Sequence, residues 1–243
     1  MSQPDVAAGF FGKVTSHGDF VSRRLPPAFL EVWDSWLQHS MHASKNQLGA
    51  AWLETYLTSP IWRFALSNGV VDGNAWAGVL MPSVDRVGRH FPLMIAAATS
   101  AQAPLLQWLE QGKSWYDALE ELALSSLESN FLLDDFDAAL RATSVLPGAV
   151  IFAGAIHAGP AAGWCLPSDG LEQMQASMPA LTAAIAQSLL TGHSVWWTDG
   201  SQRILPSVLT CKGLPEHTAF AAMLDGSWER DGWRLPASAP VSL

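Results

Sequence analysis

Hydrophobic positions fall into two kinds of pattern along the chain: short unbroken apolar runs and helical stripes, with turn dipeptides between them. The run Phe10–Val14 predicts a first strand, ended by the turn Ser16-His17-Gly18-Asp19. Pro26 and Pro27 then open a helix, because proline is tolerated in the first turn. Behind them Phe29, Leu30, Trp33, Trp36 and Leu37 recur at i, i+1, i+4, i+7 and i+8, one face of an amphipathic helix. A second helix holds Leu48, Trp52, Leu53, Tyr56 and Leu57 and ends before Pro60. Ile61–Leu66 and Ala75–Met81 read as strands around the turn dipeptides Asn68-Gly69 and Asp72-Gly73. Phe91–Ala98 is a third buried strand, and Leu105 to Leu127 is helical with a break at Gly112. Ala149–Ile156 predicts a further interior strand and Pro179–Leu190 a further helix. Ser194–Thr198 runs into the Asp199-Gly200 turn, and Arg203–Thr210 pairs with it near a sheet edge, where Pro206 is tolerated. Strands alternating with helices predict an α/β fold with a mixed sheet covered on both faces. No linker-like segment and no repeat divides the chain, so residues 1–243 are expected to form one domain.

Composition narrows the function. With 49% hydrophobic and 14% charged residues and a mean hydropathy of +0.15, the chain is a folded protein rather than a linker or tail. Its formal net charge of −9 argues against a nucleic-acid-binding surface. Cys165 and Cys211 are too few for a disulfide scaffold and sit in no zinc-like spacing. The first residues carry neither a basic segment nor an apolar core, so no secretory signal is expected. The uncharged stretches 142–168 and 173–198 are interrupted by proline, glycine or polar residues and offer no membrane span. A cytoplasmic location is expected.

The charge is unevenly distributed. Residues 1–100 carry seven basic and seven acidic side chains, so the whole −9 falls on residues 101–243. Within 101–140, Lys113 stands against Glu110, Asp117, Glu120, Glu121, Glu128, Asp134, Asp135 and Asp137. Such a run is either a solvated helix face or an acidic docking surface for a basic partner.

Motifs for catalysis are missing. Gly9-Phe10-Phe11-Gly12-Lys13 has the wrong glycine spacing for a phosphate loop, and Val14 stands where Ser or Thr is needed. No nucleophile elbow, metalloprotease, dinucleotide or calcium-loop pattern occurs. The turn spacing would allow His17 and Asp19 to face one another, while His90 and His193 are isolated. Twelve tryptophans point to extensive aromatic packing. The adjacent pair Trp196-Trp197 must point to opposite faces of its strand, so both are buried only if both faces are covered.

The densest polar constellation is Pro82-Ser83-Val84-Asp85-Arg86-Val87-Gly88-Arg89-His90, which joins two apolar strands. Arginine forks bind carboxylates bidentately, so Asp19 in the first loop is an expected partner for Arg86 or Arg89. The loop either clamps the N-terminal turn to the sheet or binds an anion or a protein partner. The candidate partner-binding residues are Gly18, Asp19, Ser83, Asp85, Arg86 and Arg89.

Several ordered blocks together resemble the TagF/ImpM family of type VI secretion-associated proteins. They are Gly9-Phe10-Phe11-Gly12-Lys13 through Gly18-Asp19-Phe20-Val21, Leu25-Pro26 with Trp33-Asp34-Ser35-Trp36-Leu37, and Ser59-Pro60-Ile61-Trp62-Arg63-Phe64. Gly78 through Arg89 with Phe91-Pro92-Leu93 follows, and then Ser194-Val195-Trp196-Trp197-Thr198-Asp199-Gly200. The resemblance implies a three-layer α/β/α sandwich. It also implies a cytoplasmic, post-translational repressor of type VI secretion, associated with the forkhead-associated scaffold protein of that machine. A non-enzymatic role without cofactor or metal is expected. Two other readings stand beside it: a hydrolase acting on a phosphorylated partner through Asp19, Asp85 or His17, and a small-ligand sensor.

Overall fold

A computed structural model of the chain describes residues 7–99, 105–143, 168–229 and 232–235. Its centre is a seven-stranded sheet of β1 (Gly9–Gly12), β2 (Val21–Arg23), β3 (Trp62–Leu66), β4 (Ala75–Met81), β5 (Leu93–Thr99), β6 (His193–Thr198) and β7 (Ser207–Lys212), in the order β2-β1-β5-β4-β3-β6-β7. Every pairing is antiparallel. The fold is thus α/β in content, but the expected mixed sheet, and with it the three-layer sandwich built on one, gives way to an antiparallel sheet. The reason lies in the connections. β3–β4 and β4–β5 are joined by loops without a helix, and a parallel neighbour needs a crossover of a dozen or more residues.

Apolar runs in the strands are continuous because both sheet faces are covered. Side chains alternate between faces along each strand. Ala65, Ala77, Val79, Ile95, Val195 and Trp197 enter one cluster, with Trp115, Tyr116 and Leu119 of α4 (Lys113–Ser125) and Phe136 and Leu140 of α5 (Leu133–Ala142). Phe64, Leu66, Trp76, Met94 and Trp196 enter the other. There they meet Phe29, Trp33 and Leu37 of α1 (Pro27–Leu48) and Tyr56 of α2 (Trp52–Leu57). Trp196 and Trp197 are therefore both buried, on opposite faces, as their adjacency requires. The Trp36 indole N–H donates to the Pro215 carbonyl at 2.7 Å and that of Trp62 to Met223 at 2.9 Å, so their polar tips are satisfied inside the core.

The proline-opened helix forms as expected: Pro26 caps α1 in an extended conformation and Pro27 takes its first position. The stretch broken at Gly112 becomes α3 (Leu105–Gln111) and α4. The helix expected from Pro179 instead begins at Leu171, and α6 (Leu171–Leu189) carries Pro179 inside it, at the cost of a backbone hydrogen bond. Among the described strands and α-helices, β2, α5 and α7 (Phe220–Asp225) have no counterpart in the sequence pattern. The expected strand Ala149–Ile156 and Cys165 lie outside the described residues. Among the described residues, no helix is long and apolar enough to cross a membrane.

Candidate partner-binding site

The loop between β4 and β5 and the turn after β1 lie side by side because the two strands are joined to the same sheet. β1 pairs with β5, and Gly12 at its end comes so close to the next strand that a Cβ there would lie 2.2 Å from the Pro92 carbonyl oxygen. Only glycine fits, at φ 145°. Lys13 follows at once and turns inward.

Asp85 organises the loop. One carboxylate oxygen accepts the backbone N–H groups of Val87 at 3.0 Å and Arg89 at 2.9 Å, closing an Asx-type turn. The other accepts Lys13 Nζ at 2.9 Å and Arg89 Nε at 2.7 Å. Both Asp85 and Lys13 are buried. Burial by itself pushes the Asp85 carboxyl up, but the hydrogen bonds from Lys13, Arg89 and Val87 outweigh it and hold the group well below the usual carboxylate range.

Ser83 supplies a second fastening. Its hydroxyl donates to the Lys13 carbonyl at 2.7 Å, and its backbone N–H donates to the Tyr56 hydroxyl at 2.8 Å. That hydroxyl in turn donates to the Ser83 carbonyl at 2.9 Å. Burial raises the Tyr56 phenol far above its ordinary value, so it stays a neutral donor. Two further contacts tie the tip of the loop to the turn: Arg86 N–H to the His17 carbonyl at 2.9 Å, and the Arg89 guanidinium to the Gly18 carbonyl.

The expected pairing of Asp19 with Arg86 or Arg89 does not form. Asp19 accepts the N–H of Phe20 at 2.8 Å, while Arg89 bonds Asp85 and Gly18. Asp85 stands four residues from Arg89 on the same turn and is already buried, so it holds the guanidinium better than an exposed carboxylate on another loop. The six candidates therefore separate. Ser83 and Asp85 are inside and act as supports; Gly18 is half-buried; Asp19, Arg86 and Arg89 are exposed. Two apolar side chains join the exposed group. Val87 is 65% exposed and Phe20 42% exposed, with the Phe20 ring stacked on Phe11 at 5.4 Å and edge-on to Phe91 at 4.8 Å. Val87 lies inside the expected Ser83–Arg89 surface loop, whereas the sequence pattern did not point to Lys13, Tyr56 and Phe20 as parts of this site. Lys13 and Phe20 had a signal: both sit in the blocks that carry the resemblance.

The acidic segment is partly turned inward. Arg63, buried in β3, bonds Glu120 at 2.6 Å and Asp117 and Asp199 at 3.0 Å each. Arg23 bonds Asp134 and Asp137 at 2.8 Å each, and Arg24 also pairs with Asp137. Glu121, Glu128 and Asp135 remain exposed. Among the described residues no cluster of three or more His, Cys, Asp or Glu is gathered as for a metal ion.

Residues 9–143, which include this site, match the model of the TagF N-terminal domain, described as type VI secretion system-associated. The chain belongs to the TagF family. Over its length this TagF-family chain is also similar to the crystal structure of PA0076 from Pseudomonas aeruginosa PAO1. The TM-score is 0.80 and the identity 39%, covering 97% of this chain and 100% of that one. No curated protein matches it. The family resemblance seen in the sequence blocks is thereby established. Strand β6, beyond the matched residues, pairs with β3 inside them, so one sheet spans both parts of this TagF-family chain.

Proposed function

We propose that this protein is a non-enzymatic, cytoplasmic regulator that represses type VI secretion post-translationally by binding the forkhead-associated scaffold protein of that machine. Residues 1–243 act as one unit in this role. Type VI secretion association comes from the family. The observation that carries the rest is the rim formed by Asp19, Phe20, Arg86, Val87 and Arg89, exposed on a backing that the buried Lys13–Asp85 pair and Ser83 hold fixed. A preorganised surface of exposed cations beside apolar groups suits protein recognition, because little ordering entropy is lost on docking. Both oxygens of Asp85 are committed to four donors, which supports a structural task for it rather than general acid–base work.

Repression requires the protein to bind the inactive arrangement of the scaffold more tightly than the active one, since equal affinity shifts nothing. Driving an equilibrium from 1:99 to 99:1 takes a preference of about 10⁴-fold. The test is calorimetry of the purified protein with purified scaffold. Saturable binding that Arg86→Glu removes supports the proposal; an Arg86→Glu variant that binds like wild type refutes the rim as the contact.

A further inference from the structure

The two edges of the sheet are built differently. β2, at one edge, has three residues, and its end is held by Arg23 and Arg24 on the carboxylates of α5. β7, at the other, has six residues, and no strand pairs with its outer side among the described residues. Charge and proline, the usual guards of an open edge, stand only at its two ends, Lys212 and Pro206, with Val208-Leu209-Thr210-Cys211 uncharged between them.

The register shows which backbone groups are open. Gly213 N–H donates to the Gly192 carbonyl at 2.7 Å, so this pair is a hydrogen-bonded one, continuous with His193 opposite Lys212. Hydrogen-bonded and non-hydrogen-bonded pairs alternate in an antiparallel ladder. Ser207, Leu209 and Cys211 therefore bond β6, and the N–H and C=O groups of Val208, Thr210 and Lys212 point away from it.

A groove of about 480 Å³ runs along this edge. It is lined by every residue from Ser207 to Cys211. Neighbouring side chains of a strand point to opposite faces, so a groove touching five in succession follows the backbone edge rather than one face. Five residues of extended chain span about 17 Å. The opposite wall includes Trp228, Trp233 and Leu235. It is fixed in place: Trp233 donates its indole N–H to the Ala219 carbonyl at 3.0 Å, and Trp228 packs edge-on to Trp62 and Trp233. The wall packs with the tryptophan-rich cluster, on the face that Leu209 shares with Trp196.

We propose that the outer edge of β7 and the wall of Trp228, Trp233 and Leu235 form a β-augmentation site, which takes an extended peptide segment of a partner protein as an eighth strand. Open main-chain donors and acceptors at Val208, Thr210 and Lys212 supply the pairing. The wall selects apolar side chains at alternate positions of the peptide, and the intervening ones lie over Val208 and Thr210 on the other face. The groove has one strand edge and one side-chain wall, which is the shape of a single strand's berth. The site is separate from the Asp19–Arg89 rim and does not depend on the proposed scaffold binding.

The experiment uses the full chain, isotope-labelled, with acetylated and amidated octapeptides in which Val or Leu alternates with Thr, Ser or Glu. A binding peptide is expected to slow amide exchange at Val208, Thr210 and Lys212. Thr210→Pro removes one outward N–H while leaving the ladder to β6 intact, and is expected to weaken binding about tenfold. Leu235→Asp, at an exposed wall position, is expected to do the same and serves if the proline variant fails to fold. Peptides N-methylated at the pairing positions should not bind. Failure of every peptide to bind overturns the proposal, as does binding that neither variant weakens. Sedimentation showing that the wild-type chain dimerises, with the same three amides slowed and no peptide bound, assigns the edge to a second copy and also overturns it.

Discussion

Removing one hydroxyl tests how the loop is held. In Tyr56→Phe the ring keeps its place, stacked on Trp52 at 5.0 Å, so the packing is unchanged and only the polar contacts are lost. Tyr56 and Ser83 are both buried, which leaves no route for bulk water to replace the hydroxyl. The Ser83 carbonyl keeps a partner, since Phe91 N–H donates to it at 3.1 Å. The Ser83 N–H, by contrast, is orphaned. A lost hydrogen bond contributes about 1 kcal/mol and an unsatisfied buried donor costs about 1–3 kcal/mol, so the variant should be destabilised by about 2–4 kcal/mol. In a chain of this size that lowers Tm by about 4–16 °C. Urea unfolding should show a lower midpoint with an unchanged slope. A second consequence follows at high pH. Burial raises the Tyr56 pKa in the folded state, so above about pH 10 the unfolded chain releases a proton that the native one keeps, and stability falls. That base-induced loss should be smaller in the variant. A Tyr56→Phe protein within about 0.5 kcal/mol of wild type would show instead that Ser83 does not depend on the hydroxyl.

Three other outcomes are expected. The depressed pKa of Asp85 means its contribution is present above the unfolded value of about 3.9 and is lost as pH falls through the folded value, so acid unfolding of Asp85→Asn should show a shallower pH dependence below about pH 4. Gly78→Ala should fail to fold or expose the core, since its Cβ would sit 2.1 Å from the Ile95 carbonyl oxygen and 2.7 Å from Phe64; a soluble variant with native melting would contradict this. Arg86→Glu, at an exposed position, should change stability by no more than about 0.5 kcal/mol in a thermal melt, separating any binding defect from misfolding.

Much of the fold was legible because burial writes itself into the pattern. Ala75–Met81 is buried at every position and appears as an unbroken apolar run, so the strand is read to the residue. Strand direction leaves no such trace: both faces are covered whether neighbours run parallel or antiparallel, and the mixed sheet was inferred from alternation with helices. β2 escaped because three residues show no period. Helix α5 escaped because Asp134, Asp135 and Asp137 drew attention as charge, although Phe136 and Leu140 lie at i and i+4 on its buried face. At the site, the loop and the turn were both recognised, yet the partners were not. Asp85 and Lys13 stand 72 residues apart, and only the β1–β5 pairing brings them together. Arg63 carried a readable signal: an arginine inside the apolar run Trp62–Leu66 demands buried carboxylates, and Asp117 and Glu120, three apart on one helix, meet it.

The proposed role of the rim, held rigid from below by the buried Lys13–Asp85 pair and Ser83, is to bind the secretion scaffold without performing chemistry. Its most direct test is titration calorimetry of the full chain into the purified forkhead-associated scaffold protein, unphosphorylated and phosphorylated, with wild type and Arg86→Glu in parallel. Wild type is expected to bind the scaffold in both states, and Arg86→Glu, folded as stably as wild type, is expected not to. Absence of wild-type binding in both states, or undiminished binding by Arg86→Glu, would contradict that role.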